Sequence, residues 1–311
     1  MRKLTQDTVG TPADVLQLID VETPEPGPGQ VLVRVAAAGV NPVDAAVSAG
    51  YYPLLGEPPF TLGWDVAGAV AAVGSGVSAF GVGDEVLGFV GFPAEAGTHA
   101  EYVLVSPNEI VRRPASVEVD IAGALPLAGL TAYQALYGIA DIQAGQRVLI
   151  HRAAGGVGHL AVQLAKLRGA HVVGTASEPK HAFVRGLGAD EVIDYRDTDY
   201  TEVLSGLDVV FDLVSGESGP RSASVLRPGG LLIGAIGANL GLTRDEAAER
   251  GIRLEAVNVR PSAHDLADLT ALVADGSVRV HLDATFRLAD AAKAYEAVAG
   301  GRTTGKVVLL P

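Results

Sequence analysis

The sequence predicts an α/β protein with two domains, one rich in β-strands and one built on a doubly wound parallel sheet. Up to about residue 121, short strand patterns such as QVLVRVAAAGV (Gln30–Val40) alternate with glycine and proline turns. Beyond that point, strands that are apolar throughout alternate with helical patterns, which indicates parallel strands covered by helices on both faces. After residue 262 the sequence pattern changes again, and strand patterns return.

The individual elements follow the same patterns along the chain. The early strands are VAGAVAAVG, GDEVLGFV and HAEYVLVS, each set off by glycine. The middle of the chain is predicted as strand RVLIHRA, helix GHLAVQLAKLRG, strand HVVGTAS, helix KHAFVRGLG, strands EVIDY and LDVVFDLV, a helix at 219–226, and strands GLLIGAIG and LEAVNV. The last part is predicted as helix SAHDLADLTALVADG, a strand and helix in ATFRLADAAKAYEAVAGG that stops at Gly300, and strand KVVLL.

Composition excludes several classes of function. The 311 residues carry a net charge of −13, so nucleic acids and anionic membranes are not expected partners. The absence of cysteine excludes disulfides, thiolate nucleophiles and cysteine-ligated zinc. The first residues lack the apolar core of a signal peptide, and no apolar run is long enough to span a membrane. We therefore expect a cytoplasmic protein.

A glycine-rich turn is the strongest functional motif. The segment AAGGVG (Ala153–Gly158) follows a predicted strand and opens a predicted helix, which is the context that a dinucleotide-binding turn requires. Small residues let the backbone approach a diphosphate, and the helix N-terminus offers N–H groups to it. The alternative is a glycine turn that binds nothing. The residues predicted to bind the diphosphate are Ala154, Gly155, Gly156, Val157 and Gly158.

The end of the second strand favours NADPH over NADH. An NAD-specific fold carries an acid there for the ribose 2′-hydroxyl, whereas this strand ends in GTAS, from Gly174 to Ser177. The donors predicted to surround a 2′-phosphate are Ser177, Lys180 and Tyr195, and Thr175 is also predicted to bind the cofactor. Glu178 is the discordant residue, because a carboxylate turned towards that phosphate would repel it.

Several segments together resemble the medium-chain dehydrogenase/reductase superfamily, in its zinc-free quinone oxidoreductase and enoyl reductase branch. They are AGVNPVD, GWDVAGAVAAVGSGV, LPLAGLTAYQAL, AAGGVGHLAVQLAKLRGAHVVGTAS and TTGKVVLLP. The resemblance implies a GroES-like, β-rich catalytic domain formed by residues 1–121 and 263–311. It also implies a Rossmann NADPH-binding domain over residues 122–262, and a homodimer.

The same resemblance implies that no metal is bound. Zinc alcohol dehydrogenases of the superfamily carry a cysteine where this chain has Asn41, and a His-Glu pair where it has Trp64 and Asp65. His99 stands where the family usually has an aromatic residue, so we interpret it as packing or lining a cleft, with a role as proton donor as the alternative. Arg302 and Lys306 are interpreted as solvated loop charges, with a contact to the cofactor phosphate or to the cleft as the alternative.

The resemblance also implies which residues meet the substrate and the nicotinamide. Asn41 is predicted beside the nicotinamide, and Tyr52 is predicted to donate to the developing oxyanion, although the neighbouring Tyr51 is not distinguishable from it by sequence. Asp44 is predicted to cap a helix that begins after it. Thr131 matches a threonine at the nicotinamide end of the cofactor. Ile236 lies in the loop after the fifth strand, which is expected near the nicotinamide ribose.

These predictions lead to one function and two alternatives. We expect an NADPH-dependent reductase that transfers hydride to a quinone or to the β-carbon of an activated alkene, a small-molecule acceptor in either case. The family often has a tyrosine where this chain has Ala46, which favours a roomier cleft. A biosynthetic, polyketide-type enoyl reductase or cyclase with one dedicated substrate is therefore an alternative. The other alternative is a non-catalytic protein that senses NADPH.

Overall fold

The computed structural model describes residues 1–235 and 240–311. Its chain divides into two compact units, of which the first comprises Met1–Leu130, Arg260–Gly276 and Val280–Pro311. The second comprises Thr131–Val259 with Ser277–Arg279. The sequence analysis had placed the divisions after residues 121 and 262. Both ends of the chain thus fold together, and the middle of the chain forms a unit of its own.

The elements are numbered along the chain. The strands are β1 (Arg2–Thr5), β2 (Gln17–Asp20), β3 (Val31–Val40), β4 (Asp65–Val73), β5 (Glu85–Phe89), β6 (Tyr102–Val105), β7 (Ile110–Arg112), β8 (Arg147–Ile150), β9 (His171–Thr175), β10 (Glu191–Ile193), β11 (Leu207–Asp212), β12 (Leu226–Ala235), β13 (Arg253–Val257), β14 (Leu282–Arg287) and β15 (Lys306–Leu310). The helices are α1 (Pro12–Val15), α2 (Pro42–Ser48), α3 (Val119–Ala124), α4 (Pro126–Tyr133), α5 (Gly158–Leu167), α6 (His181–Gly186), α7 (Tyr200–Val203), α8 (Gly219–Ser224), α9 (Arg244–Glu249), α10 (Ala263–Ala274) and α11 (Ala291–Ala299). A π-helical segment, Gln134–Ile139, follows α4.

The first unit is built on a largely antiparallel sheet. Its strand order is β14-β15-β3-β4-β5-β7, with β6 paired to β3, and β1 and β2 form a separate ladder. Alternate residues of β3, among them Val31, Val33 and Val35, are buried in an apolar cluster with strands β4 to β6. The last strand, β15, is antiparallel to β3, with Val308 opposite Gly39. This pairing brings the C-terminal strand beside the end of β3, where the predicted site begins.

The second unit contains a parallel sheet. Its described strands are ordered β10-β9-β8-β11-β12-β13, and every neighbouring pair is parallel. Numbered within this unit, the order is 3-2-1-4-5-6, the doubly wound order of dinucleotide-binding folds. From β8 the strands follow one another outwards through β9 and β10, and from β11 they follow in the opposite direction through β12 and β13. Ligands of such sheets lie beyond the carboxyl ends of the strands at this reversal point, between β8 and β11. The predicted fold class is therefore confirmed.

The strands of the second unit are apolar because both faces of the sheet are covered. Leu149, Val173, Val210 and Leu232, one from each of four strands, are fully buried in a single cluster with residues of α7 to α9. Helix α5 follows the glycine turn and buries most of its length. Across residues 1–235 and 240–311, no helix is both long enough and apolar enough to cross a membrane.

Candidate functional site

The glycine turn lies directly beyond the end of β8, at the reversal point of the parallel sheet. Helix α5 begins at Gly158, so the preceding residues form a tight turn rather than a helical extension. The N–H groups of Gly156, Val157 and Gly158 donate to no described residue. Free N–H groups at the start of a ten-residue helix are what an anionic diphosphate requires, so the local structure fits such a group despite the acidic surface.

Gly158 is required by close packing against the chain that enters the turn. A Cβ atom at this position would lie 2.2 Å from the carbonyl oxygen of Arg152 and 2.9 Å from the Cα atom of Ala153. Both are backbone atoms, which cannot move without displacing the turn. Gly155 is needed less strictly, since its Cβ would lie 3.2 Å from the same carbonyl oxygen. The turn therefore tolerates no side chain at Gly158.

The residues predicted around a 2′-phosphate, and Thr175, which is also predicted to bind the cofactor, lie at the ends of β9 and β10. Thr175 is buried as the last residue of β9, and its hydroxyl faces His151 and the N–H of Arg152. Ser177 and Lys180, before and within the following 3₁₀ turn, are half-buried, whereas 61% of Tyr195 is exposed. Ser177, Lys180 and Tyr195 are thus accessible to a ligand, while Thr175 lies beneath the surface.

An acid missed by the sequence analysis, Asp194, follows β10 directly. Its carboxylate accepts hydrogen bonds from the side chain of Arg196 at 2.8 and 3.1 Å and from the N–H of Glu178 at 2.7 Å. The hydrogen bonds from Arg196 hold the pKa of Asp194 well below its ordinary value. Asp194 is therefore a charged structural residue that orders the loop, with its oxygens already occupied.

In the first unit, a buried polar cluster surrounds Asn41, the N-cap residue of α2. The side-chain amide of Asn41 donates from Nδ2 to Oδ2 of Asp65 at 2.9 Å, and its Oδ1 accepts a hydrogen bond from Nζ of Lys306. The ammonium group of Lys306 also lies 3.7 Å from Oδ2 of Asp65. Gly39 makes room for this cluster, because a Cβ there would lie 2.5 Å from Oδ2 of Asp65.

The interpretation of Lys306 as a solvated loop charge is wrong. Lys306 is the first residue of β15, and only 3% of it is exposed. Burial lowers its pKa, while the nearby carboxylate of Asp65 raises it. Burial likewise raises the pKa of Asp65, which Lys306 opposes. The lysine is placed there by the pairing of β15 with β3, a contact that spans most of the chain and leaves no local sequence signal.

Asp44 lies inside α2, not before it as predicted. The helix begins at Pro42, and the carboxylate of Asp44 accepts from the N–H of Asn41 at 2.7 Å and from the N–H of Gly63 at 3.1 Å. It therefore does cap the helix, by reaching back to the N-cap residue from the first turn. Burial raises the pKa of Asp44 to about 7, partly offset by these two hydrogen bonds.

His99 packs against Tyr295, a partner that sequence reasoning did not find. The Nδ1 atom of His99 lies 2.7 Å from the hydroxyl of Tyr295, and Nε2 lies 3.3 Å from the carbonyl oxygen of Gly39. A carbonyl only accepts, so Nε2 carries the proton and Tyr295 donates to Nδ1. Burial lowers the pKa of His99 from its ordinary value of 6.5 to about 4, which keeps the ring neutral. Its complete burial agrees with a packing role.

This burial predicts the pH dependence of a His99→Phe variant. Because the folded pKa of His99 lies below the unfolded value, its contribution to stability is present above pH 6.5 and is lost as pH falls through about 4. The free energy of unfolding of the wild type, relative to that of the variant, is therefore expected to fall by about 3 kcal/mol between neutral pH and pH 4. Asp44 has a raised pKa and acts in the opposite direction, but it is present in both proteins.

The measurement is urea unfolding followed by tryptophan fluorescence. Trp64 is the single tryptophan of the chain and is fully buried in the same unit as His99, so its signal reports on that unit. A difference in stability between the two proteins that does not vary with pH would show that His99 is not held neutral by burial.

Tyr52, not Tyr51, is the half-buried member of the tyrosine pair. Both N–H groups donate to the carbonyl oxygen of Ala46, at 2.9 Å from Tyr51 and 3.2 Å from Tyr52, so the pair turns sharply after α2. Tyr51 is 88% exposed. The hydroxyl of Tyr52 bonds to no described residue and remains available to a ligand.

Two further predicted site residues belong to the second unit. Thr131 is buried within α4 and makes contacts of its own. Ile236 lies outside the described residues. Their roles stay predictions.

Comparisons with known proteins identify the family. Residues 27–115 match the alcohol dehydrogenase GroES-like domain, and residues 187–309 match the zinc-binding dehydrogenase family. A quinone oxidoreductase from Pseudomonas aeruginosa is 34% identical over 96% of this chain and 96% of its own length. The chain belongs to the medium-chain dehydrogenase/reductase superfamily, in its quinone oxidoreductase branch. The resemblance inferred from the motifs is confirmed, and the protein is an oxidoreductase of the NAD(P)H-dependent reductase type.

Other members of this superfamily extend the comparison. A 2-haloacrylate reductase from a Burkholderia species is 33% identical over 94% of this chain and 94% of its own length. The crystal structure of the Escherichia coli quinone oxidoreductase complexed with NADPH superimposes with a TM-score of 0.91 at 28% identity, and each chain is covered completely. Relatives named for two kinds of acceptor therefore align with at least 94% of this chain.

The zinc named in one family description does not suit the residues of this chain. At the positions implied for zinc ligands, Asn41 has a side-chain amide whose nitrogen and oxygen are both already hydrogen-bonded. Trp64 is a core residue whose Nε1 donates to the carbonyl oxygen of Ala94. The ammonium of Lys306 already contacts the amide oxygen of Asn41 and would repel a second cation. In the described ranges no group of three or more histidine or acidic side chains is arranged to hold a metal.

Proposed function

We propose that the protein is an NADPH-dependent reductase that works without zinc and transfers hydride to a quinone or to the β-carbon of an activated alkene. The observation that carries the proposal is the set of free N–H groups at Gly156–Gly158, at the reversal point of a 3-2-1-4-5-6 sheet. When bound, the reduced nicotinamide supplies the hydride. The backbone of the turn binds and orients the diphosphate, and Gly158 keeps the helix close enough to do so.

The choice of NADPH over NADH is supported by the ends of β9 and β10. Ser177 follows β9 where an NAD-specific fold carries an acid, and Lys180 adds a cation. Asp194 is the acid nearest in sequence to the end of β10, but Arg196 neutralises it. Glu178 is exposed, and its charge is therefore screened by solvent. Ser177, Lys180 and Tyr195 are the residues proposed to meet the 2′-phosphate.

The acceptor class is supported by the chemistry available in the first unit. Without a Lewis acid, hydride transfer is feasible to a carbon whose conjugated oxygen accepts the negative charge, as in quinones and enones. The hydroxyl of Tyr52 is proposed to donate to that oxygen, and Asn41 to position the acceptor or the nicotinamide. A relative named 2-haloacrylate reductase supports activated alkenes as acceptors, and the quinone oxidoreductases support quinones. A homodimer and a cytoplasmic location stay predictions.

The test is an oxidation assay with NADPH and NADH against benzoquinones, naphthoquinones, enones and enoyl thioesters. We expect turnover with at least one class and a kcat/KM about tenfold higher with NADPH than with NADH. Tyr52→Phe is expected to lower kcat about tenfold, because one hydrogen bond to the developing oxyanion is lost. Tyr51→Phe is the matched control and is expected to match the wild type, because Tyr51 is 88% exposed.

Three outcomes separate the candidate functions. Activity confined to one large enoyl substrate, with quinones inert, favours the dedicated biosynthetic reductase, for which the small residue Ala46 provides room. Binding of NADPH without turnover of any acceptor contradicts the reductase and favours a sensor. Equal losses in the Tyr51 and Tyr52 variants contradict the role given to Tyr52.

A further inference from the structure

A buried polar chain in the second unit takes no part in the proposed hydride transfer. It consists of His151, Thr175, Ser222 and Asp212, each at most 3% exposed. His151 follows β8 directly, Thr175 ends β9 and Asp212 ends β11. This buried polar chain of four side chains therefore joins the carboxyl ends of three neighbouring strands of the parallel sheet, beneath the glycine turn.

The carboxylate of Asp212 determines which group donates in each hydrogen bond of this buried polar chain. The hydroxyl of Ser222 donates to Oδ2 of Asp212 at 2.9 Å, and a carboxylate only accepts. Ser222 Oγ lies 3.2 Å from Nε2 of His151, so with its own hydrogen committed it accepts from that nitrogen. The other oxygen of Asp212 accepts from the N–H of Val214 at 2.9 Å. Asp212 thus fixes the direction of the first two bonds.

The imidazole passes this direction on to Thr175. Burial lowers the pKa of His151, so the ring is neutral and carries a single proton, which Ser222 holds at Nε2. The Nδ1 atom is then an acceptor, and it lies 3.1 Å from the hydroxyl of Thr175. Thr175 therefore donates to His151 and keeps its oxygen lone pairs for the N–H of Arg152, at 3.2 Å.

Arg152 connects the buried polar chain to the glycine turn. Its φ angle is +50°, in the left-handed region that residues other than glycine seldom adopt. Its carbonyl oxygen accepts from the N–H of Gly155 at 2.8 Å, and it is the atom that a Cβ on Gly158 would strike. The conformation of Arg152 therefore defines how the turn begins, and Thr175 holds it from beneath.

We propose that Asp212, Ser222, His151 and Thr175 form a positioning relay that holds the backbone of Arg152 in its left-handed conformation and thereby sets the affinity of the glycine turn for the diphosphate of the dinucleotide. The proposal rests on the proposed function only in needing a bound dinucleotide. A residue in a strained backbone conformation persists only where the surrounding structure holds it, and such residues are often found at ligand sites. For Arg152, the groups that hold it are the four residues of the relay. The relay residues affect binding by fixing the backbone of the turn, and they take no part in a chemical step.

The relay makes an unusual prediction for Asp212→Asn. The N–H of Val214 keeps the amide oxygen on its own side, so the amide NH₂ faces Ser222 and every bond of the relay reverses. His151 then carries its proton at Nδ1. The oxygen of Thr175 accepts from both His151 and Arg152, and its hydroxyl hydrogen is left buried without its former acceptor.

The experiment is a calorimetric titration of wild type and variants with NADPH. Thr175→Val and Ser222→Ala are each expected to weaken binding about tenfold, since each breaks the relay. Thr175→Ser keeps the hydroxyl and is expected to restore binding to within about twofold of the wild type. Ser224→Ala is the matched control, because Ser224 is an exposed serine on the same helix whose hydroxyl donates to Arg221.

A second readout follows the imidazole directly. In the protein without cofactor, ¹⁵N NMR of labelled histidine is expected to show His151 protonated at Nε2 in the wild type and at Nδ1 in the Asp212→Asn variant. An unchanged tautomer in that variant, or Thr175→Val binding NADPH as tightly as Thr175→Ser, overturns the relay and leaves the reductase proposal standing. NADPH binding that depends on the relay, without turnover of any acceptor, overturns the reductase proposal and leaves the relay standing.

Discussion

Replacing Lys306 with methionine is expected to lower the free energy of unfolding of the first unit by about 3–5 kcal/mol, the usual effect of removing one partner of a buried ion pair. Methionine keeps most of the apolar stem, but the carboxylate of Asp65 and the amide oxygen of Asn41 lose the ammonium group that contacts them. Because burial already raises the pKa of Asp65, the variant can relieve the charge by binding a proton. The loss is therefore expected to be larger at pH 8 than at pH 5.

Two further variants separate the charge from the packing. The double variant Lys306→Met with Asp65→Asn removes both charges and is expected to regain most of the lost stability, measured by urea unfolding with Trp64 fluorescence. Lys293→Met is the control, since Lys293 pairs with Asp290 on the surface and is 69% exposed. It is expected to change stability by at most about 1 kcal/mol. Similar effects at Lys306 and Lys293 would contradict the buried cluster.

Substituting Gly158 with alanine is expected to weaken NADPH binding more than about a hundredfold, equivalent to about 2.7 kcal/mol. The added Cβ would lie 2.2 Å from the carbonyl oxygen of Arg152, so the turn has to move and its N–H groups lose their common direction. Binding is measured by the change in NADPH fluorescence on titration. Circular dichroism and thermal unfolding of the same samples distinguish a displaced turn from an unfolded protein.

Gly186→Ala is the matched control for this substitution. Gly186 ends α6 in the same unit, and apart from its chain neighbours and the backbone of α6 itself no described atom lies within 4 Å of the position that its Cβ would take. Alanine is favoured over glycine in helices, so the control is expected to bind NADPH like the wild type with unchanged or slightly higher stability. If the two alanine variants bind NADPH equally well, the turn does not hold the diphosphate in the way described.

Much of the fold was predictable because its strongest signals are local. The alternation in β3, the run of apolar residues in β8 and the helical spacing in α5 each arise from one continuous segment. Helices α1 and α7 were not predicted, because each has four residues and shows no full period of apolar spacing. Strands β1 and β2 have four residues each, which leaves a weak pattern.

The candidate site was predictable only where a motif is contiguous. The turn before α5 combines its glycines and its helix in one stretch, whereas the partners of Asn41 come from β4 and β15. Residues 41 and 306 meet across 265 positions of sequence, and His99 meets Tyr295 across 196. Nothing in the sequence around Lys306 distinguishes a buried strand residue from a charge in a loop. Burial of a charge depends on its partner, and the partner is set by strand pairing.

Calorimetric titration of the purified protein with NADPH and with NADH shows directly whether the glycine turn binds a dinucleotide. We expect one site per chain with micromolar affinity for NADPH and about tenfold weaker binding of NADH. Absence of heat with either dinucleotide at millimolar concentration would contradict it, because the free N–H groups before α5 would then hold no diphosphate.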